Sequence, residues 1–228
     1  MARQTCELDH LVVTAPTLAA GAAWVESTLG VTLQAGGIHQ RMGTHNALLS
    51  LGDSTYLEVI AVDPGAAQPD QPRWFELDRM SLDARPSLAT WVARTENIKA
   101  TTGHCRAQFG RIEPMSRGVL NWLITIPPEG ALNAGGVIPM LIEWGGDKHP
   151  ATGLEDKGCA LKRLDLFHPD VGWVTRVLDC LALGDGVAIH ELPTGVRPYL
   201  VAHIETPQGT ISIGRARDQH LRDMDEHQ

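Results

Sequence analysis

The chain has 228 residues, of which 43% are hydrophobic, so it can build a sizeable core as one large domain or two small ones. Its 19 basic and 27 acidic residues give a net charge of −8, which argues against a nucleic-acid-binding surface. The apolar stretches have the length of strands and residues 1–7 lack a hydrophobic core. We therefore expect neither a membrane span nor a secretory signal.

The first segment, residues 8–62, has the pattern of a strand, a helix and two or three further antiparallel strands, a βαβββ unit. Residues 8–14 form the predicted first strand, and Thr17 can cap the helix that follows. Gly30 stands where a left-handed helix end is expected. The predicted apolar face of the helix consists of Leu18, Ala22, Val25 and Leu29.

The last strand of this unit is predicted at residues 55–62. Gly36 and Gly37 are interpreted as a turn before it. Residues 63–86 are rich in Pro, Asp and Gln, and we interpret them as a connector with a short helix near Trp74–Met80.

Two further segments resemble copies of the first unit. The second copy has predicted strands at 87–95, 120–126 and 137–144, with a helix at 96–109. A third and shorter copy starts at residue 160. It continues with a helix that contains Trp173-Val174 and with strands near 187–192, 199–205 and 210–214.

These patterns predict an α+β fold with a curved, barrel-like mixed sheet. Residues 6–150 would form the paired βαβββ modules, and residues 151–216 a third partial module on the same domain. Residues 217–228 are charged and are predicted to be a flexible tail.

The four cysteines, Cys6, Cys105, Cys159 and Cys180, are far apart and form no CxxC motif. In a chain of this size without a signal sequence, that pattern predicts reduced core thiols in a cytoplasmic protein. A disulfide remains an alternative, although no spacing favours one.

Two ionisable residues stand alone in apolar strands, His10 in the first and Glu58 in the strand about fifty residues later. Each is costly to desolvate without a partner, and a shared metal ion could be that partner if the strands are neighbours. Alternatively, His10 is a core histidine bonded to backbone or to Glu58, and Glu58 pairs with an arginine such as Arg41.

Three motifs, Leu8-Asp9-His10, Gly43-Thr44-His45-Asn46 and Tyr56-Leu57-Glu58, resemble those of the vicinal oxygen chelate superfamily and its glyoxalase-like branch. That superfamily includes glyoxalase I, extradiol dioxygenases and bleomycin-resistance proteins. The resemblance covers roughly residues 8–214. It implies that each module curls into half of an open barrel and that the metal ligands come from its first and last strands.

Carried over to this chain, the resemblance implies His10, Glu58 and Glu143 as metal ligands. The fourth position falls near Thr90 or Trp91, neither of which is a good ligand, unless His45 supplies one. Such a set of nitrogen and oxygen donors would suit a divalent Zn, Mn, Fe or Ni ion. Glu143 could instead face water from the end of its strand.

Glu58 or His45 could act as a general base, and His45, Asn46 and Trp122 are the expected substrate contacts. His45 could also be an exposed loop histidine, and Asn46 could simply hold a turn. The leading interpretation is a metal-dependent lyase, isomerase or dioxygenase for a small substrate with adjacent oxygens.

The first alternative is a protein of the same fold that binds or sequesters a small molecule, such as a drug, without catalysis. The second is a metal-free scaffold in which His10 and Glu58 merely hydrogen bond. A small molecule is the expected partner, nucleic acid and membrane are not, and a homodimer is possible.

Overall fold

The computed structural model describes residues 5–105 and 107–214. The predicted flexible tail, 217–228, lies outside these residues, and so do His220 and His227. The described part contains twelve strands and three α-helices, which agrees with the predicted α+β class. None of these helices combines the length and the apolar character of a membrane span.

The first module has the predicted βαβββ order. Its elements are β1 (Glu7–Thr14), α1 (Leu18–Leu29), β2 (Gln34–His39), β3 (Thr44–Ser50) and β4 (Tyr56–Val62). The Thr17 hydroxyl accepts a hydrogen bond from the Ala20 amide at 3.1 Å, and Gly30 ends α1 with φ 73°. The helix therefore begins and ends where its capping residues predict.

Gly36 and Gly37 lie inside β2, so the predicted turn at these residues is wrong. A register shift between Ala35 and Gly37 marks a β-bulge against β3. A Cβ on Gly37 would lie 2.8 Å from Cδ of Arg117, and one on Gly36 would lie 2.1 Å from Oδ1 of Asn46. The two glycines allow side chains to approach the strand closely and do not reverse the chain.

The third module follows the predicted order, and the second has one strand more than predicted. Their elements are β5 (Ser87–Arg94), α2 (Ile98–His104), β6 (Arg111–Arg117), β7 (Leu120–Ile126), β8 (Met140–Trp144), β9 (Ala160–His168), α3 (Val171–Leu181), β10 (Val187–Glu191), β11 (Tyr199–Thr206) and β12 (Gly209–Gly214). β6 had not been predicted, and α2 is shorter than the predicted helix at 96–109. The helix expected in the connector is a 3-10 turn, Leu77–Arg79.

Strands β1 to β8 form one sheet in the order β2-β3-β4-β1-β5-β8-β7-β6, and β9 to β12 form a second in the order β10-β9-β11-β12. The larger sheet curls into a half-barrel, so that its edge strands β2 and β6 approach each other. Arg41, just after β2, donates to the carbonyl oxygen of Pro114 at 2.7 Å and pairs with Glu113 at 2.5 Å. These contacts stabilise the curled form.

The convex face of the large sheet packs on α1 and shares one apolar core with α3 and β9. Leu11, Val59 and Leu164 are completely buried in it. The concave face, which includes Val12 and Ile60, packs against Trp74 and Phe75 of the connector. The division at residue 150 remains a prediction, because a continuous core joins the parts on both sides of it.

Gly21 gives a direct test of how tightly α1 packs on β4. A Cβ there would lie 2.4 Å from Cγ1 of Val59 and 2.7 Å from Cβ of Ala15. We expect Gly21→Ala to destabilise the protein by about 1–3 kcal/mol, because overpacking outweighs the helix propensity of alanine. In α2, a Cβ on Gly103 would meet nothing within 4 Å. Gly103→Ala is therefore the control, and urea denaturation should show it equally stable or more stable than the wild type.

Cys105 and Cys180 form a disulfide that links the end of α2 to α3, and Cys6 and Cys159 are free and buried. The prediction of reduced thiols is therefore wrong for one pair. A sequence separation of 75 conceals the pairing, and packing brings the two Cα atoms within 5.7 Å. A cytoplasmic location remains a prediction.

Reduction of this disulfide should lower stability substantially. The bond removes the loop entropy of a long segment from the unfolded chain, and we expect Cys180→Ser to cost about 2–4 kcal/mol. Urea denaturation of the variant and of wild type with and without a reductant would measure it. Cys159→Ser, at a free buried thiol, is the matched control. A wild type whose denaturation is unchanged by complete reduction would contradict the expectation.

Candidate active site

Asp9 and His10 are adjacent on β1 and are 0% and 3% exposed. Neighbouring side chains of a regular strand point to opposite faces of the sheet. The pairing of β1 with β5 shifts register between Leu8 and His10, which marks a β-bulge at Asp9. The bulge lets the Asp9 carboxylate reach the His10 ring, with Oδ1 2.6 Å from Nδ1.

The Asp9 carboxylate is the most fully bonded acid of the site. In addition to His10, its Oδ2 accepts from Nε1 of Trp144 at 2.9 Å and from Nε2 of His149 at 3.0 Å. Burial opposes ionisation, but the hydrogen bonds and charges of His10 and His149 hold the pKa of Asp9 below its ordinary value. An ionised Asp9 accepts a hydrogen bond from Nδ1 of His10. The other ring nitrogen, Nε2, points towards Glu58 on the concave side of the sheet.

Glu58 lies on β4, directly beside β1 in the sheet, and is 6% exposed. Its Oε2 lies 3.7 Å from Nε2 of His10, and its Oε1 accepts from Nδ2 of Asn46 at 2.5 Å. Oδ1 of Asn46 accepts from the Gly37 amide at 2.8 Å and from Arg117 at 3.0 Å. These two donors orient the amide, so Nδ2 of Asn46 must donate to Glu58.

Two further polar rings border the pair. His39 contacts the Thr44 hydroxyl at 3.1 Å and Arg117 at 3.3 Å. Burial lowers the pKa of His39 to about 4; the Glu58 charge opposes the shift and Arg117 adds to it. Tyr56 stacks on His10 with ring centroids 4.5 Å apart. Burial, followed by the charges of Asp9 and Glu58, raises the pKa of Tyr56. At neutral pH His39 is neutral and Tyr56 keeps its proton.

His39 should make the protein sensitive to acid. In the unfolded chain His39 binds a proton near pH 6.5, and in the folded chain only near pH 4. Between these two values the unfolded state therefore holds more protons than the folded state. Stability should fall as the pH falls through this window, by about 3 kcal/mol at pH 4. Below the ordinary pKa of Asp9, that carboxylate adds a loss in the same direction. Urea denaturation from pH 7.5 to pH 4 would measure the fall.

His39→Gln is the control for this pH dependence, since glutamine does not titrate. The variant should lose less stability than wild type between pH 6.5 and pH 4. Equal losses in both proteins would show that other groups cause the decline.

The pair His10 and Glu58 faces a small cavity with a volume of about 20 Å³, room for about one water molecule. Its walls are largely aromatic and come from Trp74, Phe75, Trp122 and Trp144. Phe75 and Glu76 have φ values of 58° and 57°, a left-handed conformation that is strained for such side chains. Because the cavity has room for about one water molecule, it must widen before a substrate can reach the pair.

The structure brings together four of the residues predicted from sequence. They are His10, Glu58, Asn46 and Trp122. Their assigned roles remain predictions. Sequence reasoning missed Asp9 as a partner of His10, although it stands inside the Leu-Asp-His motif. It also gave no role at the site to His149 and Arg117, which contact Asp9 and Asn46.

His45 does not join this group. It is paired with Ile38 and Ala61, whereas the next residue, Asn46, contacts Glu58 on the concave side. Because side chains alternate along a strand, His45 points to the other face of the sheet. Its Nε2 is buried and has no hydrogen-bond partner among the described residues. The structure does not support His45 as a base, a substrate contact or a ligand.

Glu143 also lies apart from the pair. Its Oε2 accepts a hydrogen bond from the Ile98 amide at 2.7 Å, at the beginning of α2. Its neighbours on β8, Ile142 and Trp144, line the cavity, so Glu143 points to the opposite face. The structure places Glu143 at a helix N-terminus and not beside His10 and Glu58, and its role as a metal ligand stays a prediction.

The side chains around His10 and Glu58 can be compared with the set of ligands that a divalent metal ion needs. The support of His10 by Asp9 is typical of metal-binding histidines. However, no group of three His, Cys, Asp or Glu side chains could hold a metal within residues 5–105 and 107–214. Val92, opposite His10 on β5, supplies no donor. A catalytic metal needs three protein ligands, so the described side chains do not fit one.

A curled sheet of βαβββ modules with a polar pair on its concave face defines a vicinal oxygen chelate fold. The chain belongs to the family of the glyoxalase-like domain, whose model matches residues 8–181. This confirms the resemblance to the superfamily that the sequence motifs indicated. No curated protein sequence matches the chain.

Solved structures are similar to the chain at low sequence identity. A hypothetical protein from Staphylococcus aureus is 13% identical with a TM-score of 0.56, over 92% of this chain and 84% of that one. Methylmalonyl-CoA epimerase from Mycobacterium tuberculosis is 19% identical with a TM-score of 0.40, over 60% and 85%. A mutant 4-hydroxymandelate synthase from Streptomyces coelicolor is 11% identical with a TM-score of 0.47, over 95% and 64%.

Proposed function

We propose that this protein is an enzyme of the isomerase or lyase type that moves a proton to or from carbon in a small oxygenated substrate. The observation that carries the proposal is the 3.7 Å gap between Nε2 of His10 and Oε2 of Glu58. Both groups are held from behind, His10 by Asp9 and Glu58 by Asn46, and both face the same small cavity. A substrate that enters the cavity would meet an acid and a base side by side.

The two groups have complementary roles. Glu58 takes the proton from a carbon next to a carbonyl group through Oε2, while its Oε1 stays bonded to Asn46. His10 donates from Nε2 to the oxygen on which negative charge develops, while its Nδ1 stays bonded to the Asp9 carboxylate. The stack on Tyr56 keeps the imidazole ring in place.

The walls of the cavity support this chemistry. Trp74, Trp122 and Trp144 exclude water around the pair, and the charges act more strongly there than in solvent. Oxygen-dependent ring cleavage is not part of the proposal. His10, His39 and Glu58 all line the cavity, but no three His, Cys, Asp or Glu side chains of the described residues are placed to hold the metal ion that this chemistry uses.

A second candidate is a binding protein for a small molecule, and one observation favours it. The cavity has an aromatic lining, and no three His, Cys, Asp or Glu side chains of the described residues are placed to hold a metal ion. Such a pocket can hold an apolar ligand without reacting with it. In that case Asp9, His10 and Glu58 would serve to orient the ligand.

Proton exchange distinguishes the two candidates. Chelator-treated protein would be incubated in deuterated buffer with small 2-keto acids and α-hydroxy ketones, and loss of the C–H signal followed by NMR. Exchange above the rate in buffer supports the enzyme. Binding of these compounds without exchange supports the second candidate. Metal analysis runs in parallel, and exchange that requires an added Zn, Mn, Fe or Ni ion would contradict the metal-independent mechanism.

A further inference from the structure

A second cavity of about 1120 Å³ lies between the connector, α1 and the second sheet. Trp24 on α1, Arg85 in the connector and Tyr199 on β11 are among its walls. We call it the arginine groove. Its size is that of a site for an organic molecule and far exceeds the space beside His10.

The charge of the arginine groove is opposite to that of the chain. Arg79, Arg85 and Arg197 line it, and Glu76 is the one acid among its described lining residues. The chain as a whole has a net charge of −8. Arg79 is already paired with Glu76 at 3.4 Å and with Glu129 at 2.9 Å, whereas Arg85 is exposed. Three arginines in one groove of an acidic protein favour binding of a carboxylate, sulfonate or phosphate group.

The remaining walls favour an apolar or aromatic ligand body. Trp24 and Leu88 provide apolar surface. Tyr199 stacks on Phe167 with centroids 4.5 Å apart, which fixes its ring, and the Ser212 hydroxyl adds a polar group. We propose that the arginine groove binds an organic anion that carries an apolar or aromatic body.

Phe75 connects this inference with the buried pair, because its side chain borders both the arginine groove and the small cavity. It is only 3% exposed and has the left-handed backbone already noted. On the proposed function, the groove would hold the non-reacting anionic part of the substrate, and movement of Phe75 would admit the reacting end. Binding in the groove itself does not depend on the chemistry at His10 and Glu58.

The test uses 8-anilinonaphthalene-1-sulfonate, a fluorescent aromatic sulfonate, with the full chain. We expect saturable binding at one site that weakens at least fivefold in the double variant Arg79→Gln/Arg85→Gln. Binding should also weaken as salt screens the charges. Arg111→Gln is the matched control, because Arg111 is exposed on β6 and does not line the groove. Circular dichroism would verify that each variant is folded.

A neutral probe, N-phenyl-1-naphthylamine, distinguishes the contribution of charge to binding from that of apolar contact. Its binding should be the same in the double variant and in wild type. The inference is overturned if the sulfonate does not saturate, or if the double variant binds it as tightly as Arg111→Gln does. Glu58→Gln should bind the sulfonate like wild type, so failure of the proposed catalysis and failure of the groove remain distinguishable.

Discussion

Glu58→Gln should reduce the proton-exchange rate by about 10²–10⁴-fold, the usual contribution of a general base. The substitution removes the basic oxygen while keeping the shape of the side chain. Asn46 can still donate to the remaining carbonyl oxygen, so the contact that fixes the group is preserved. The protein should therefore stay folded, and the loss should appear in kcat rather than in KM.

Glu143→Gln is the matched control for this prediction. Glu143 lies on the same sheet, but its carboxylate accepts from the Ile98 amide at the beginning of α2. Its replacement should leave the exchange rate within a factor of about three of wild type and lower stability slightly through the weakened helix contact. Equal losses in the two variants would show that Glu58 is not the base.

Asp9→Ala should be among the most destabilising substitutions, at about 3–5 kcal/mol, because it leaves several buried donors without an acceptor. Three groups donate to this carboxylate: His10, Trp144 and His149. Urea denaturation followed by tryptophan fluorescence would measure the loss. Glu7→Ala, at an exposed ion pair with Arg94, is the control and should cost about 0–1 kcal/mol.

Asp9→Asn separates the structural effect from the chemical one. The amide oxygen can still accept from Trp144 or His149, so this variant should be more stable than Asp9→Ala. Placed against His10, the amide nitrogen would force the other imidazole tautomer and lower the exchange rate. An Asp9→Ala protein as stable as wild type would contradict the role of Asp9 as the anchor of the site.

Sequence reasoning succeeded where local rules govern structure. The Thr17 cap, the Gly30 helix end and the spacing of apolar residues predicted α1, and similar patterns predicted most strands of the three modules. It missed β6, whose Arg111–Arg117 sequence contains Pro114 and little apolar alternation. It misread Gly36 and Gly37, because glycine serves both turns and close contacts.

That His10 and Glu58 lie close together was predictable, because β1 and β4 belong to one βαβββ unit. The sequence by itself determined the order of elements in that unit. Only the tertiary structure decided that Asp9 supports His10, that His45 and Glu143 face away, and that Cys105 meets Cys180. The physical reason is that caps and periodicity act over a few residues. A β-bulge, the face of a strand and the packing of two distant helices depend on partners far along the chain.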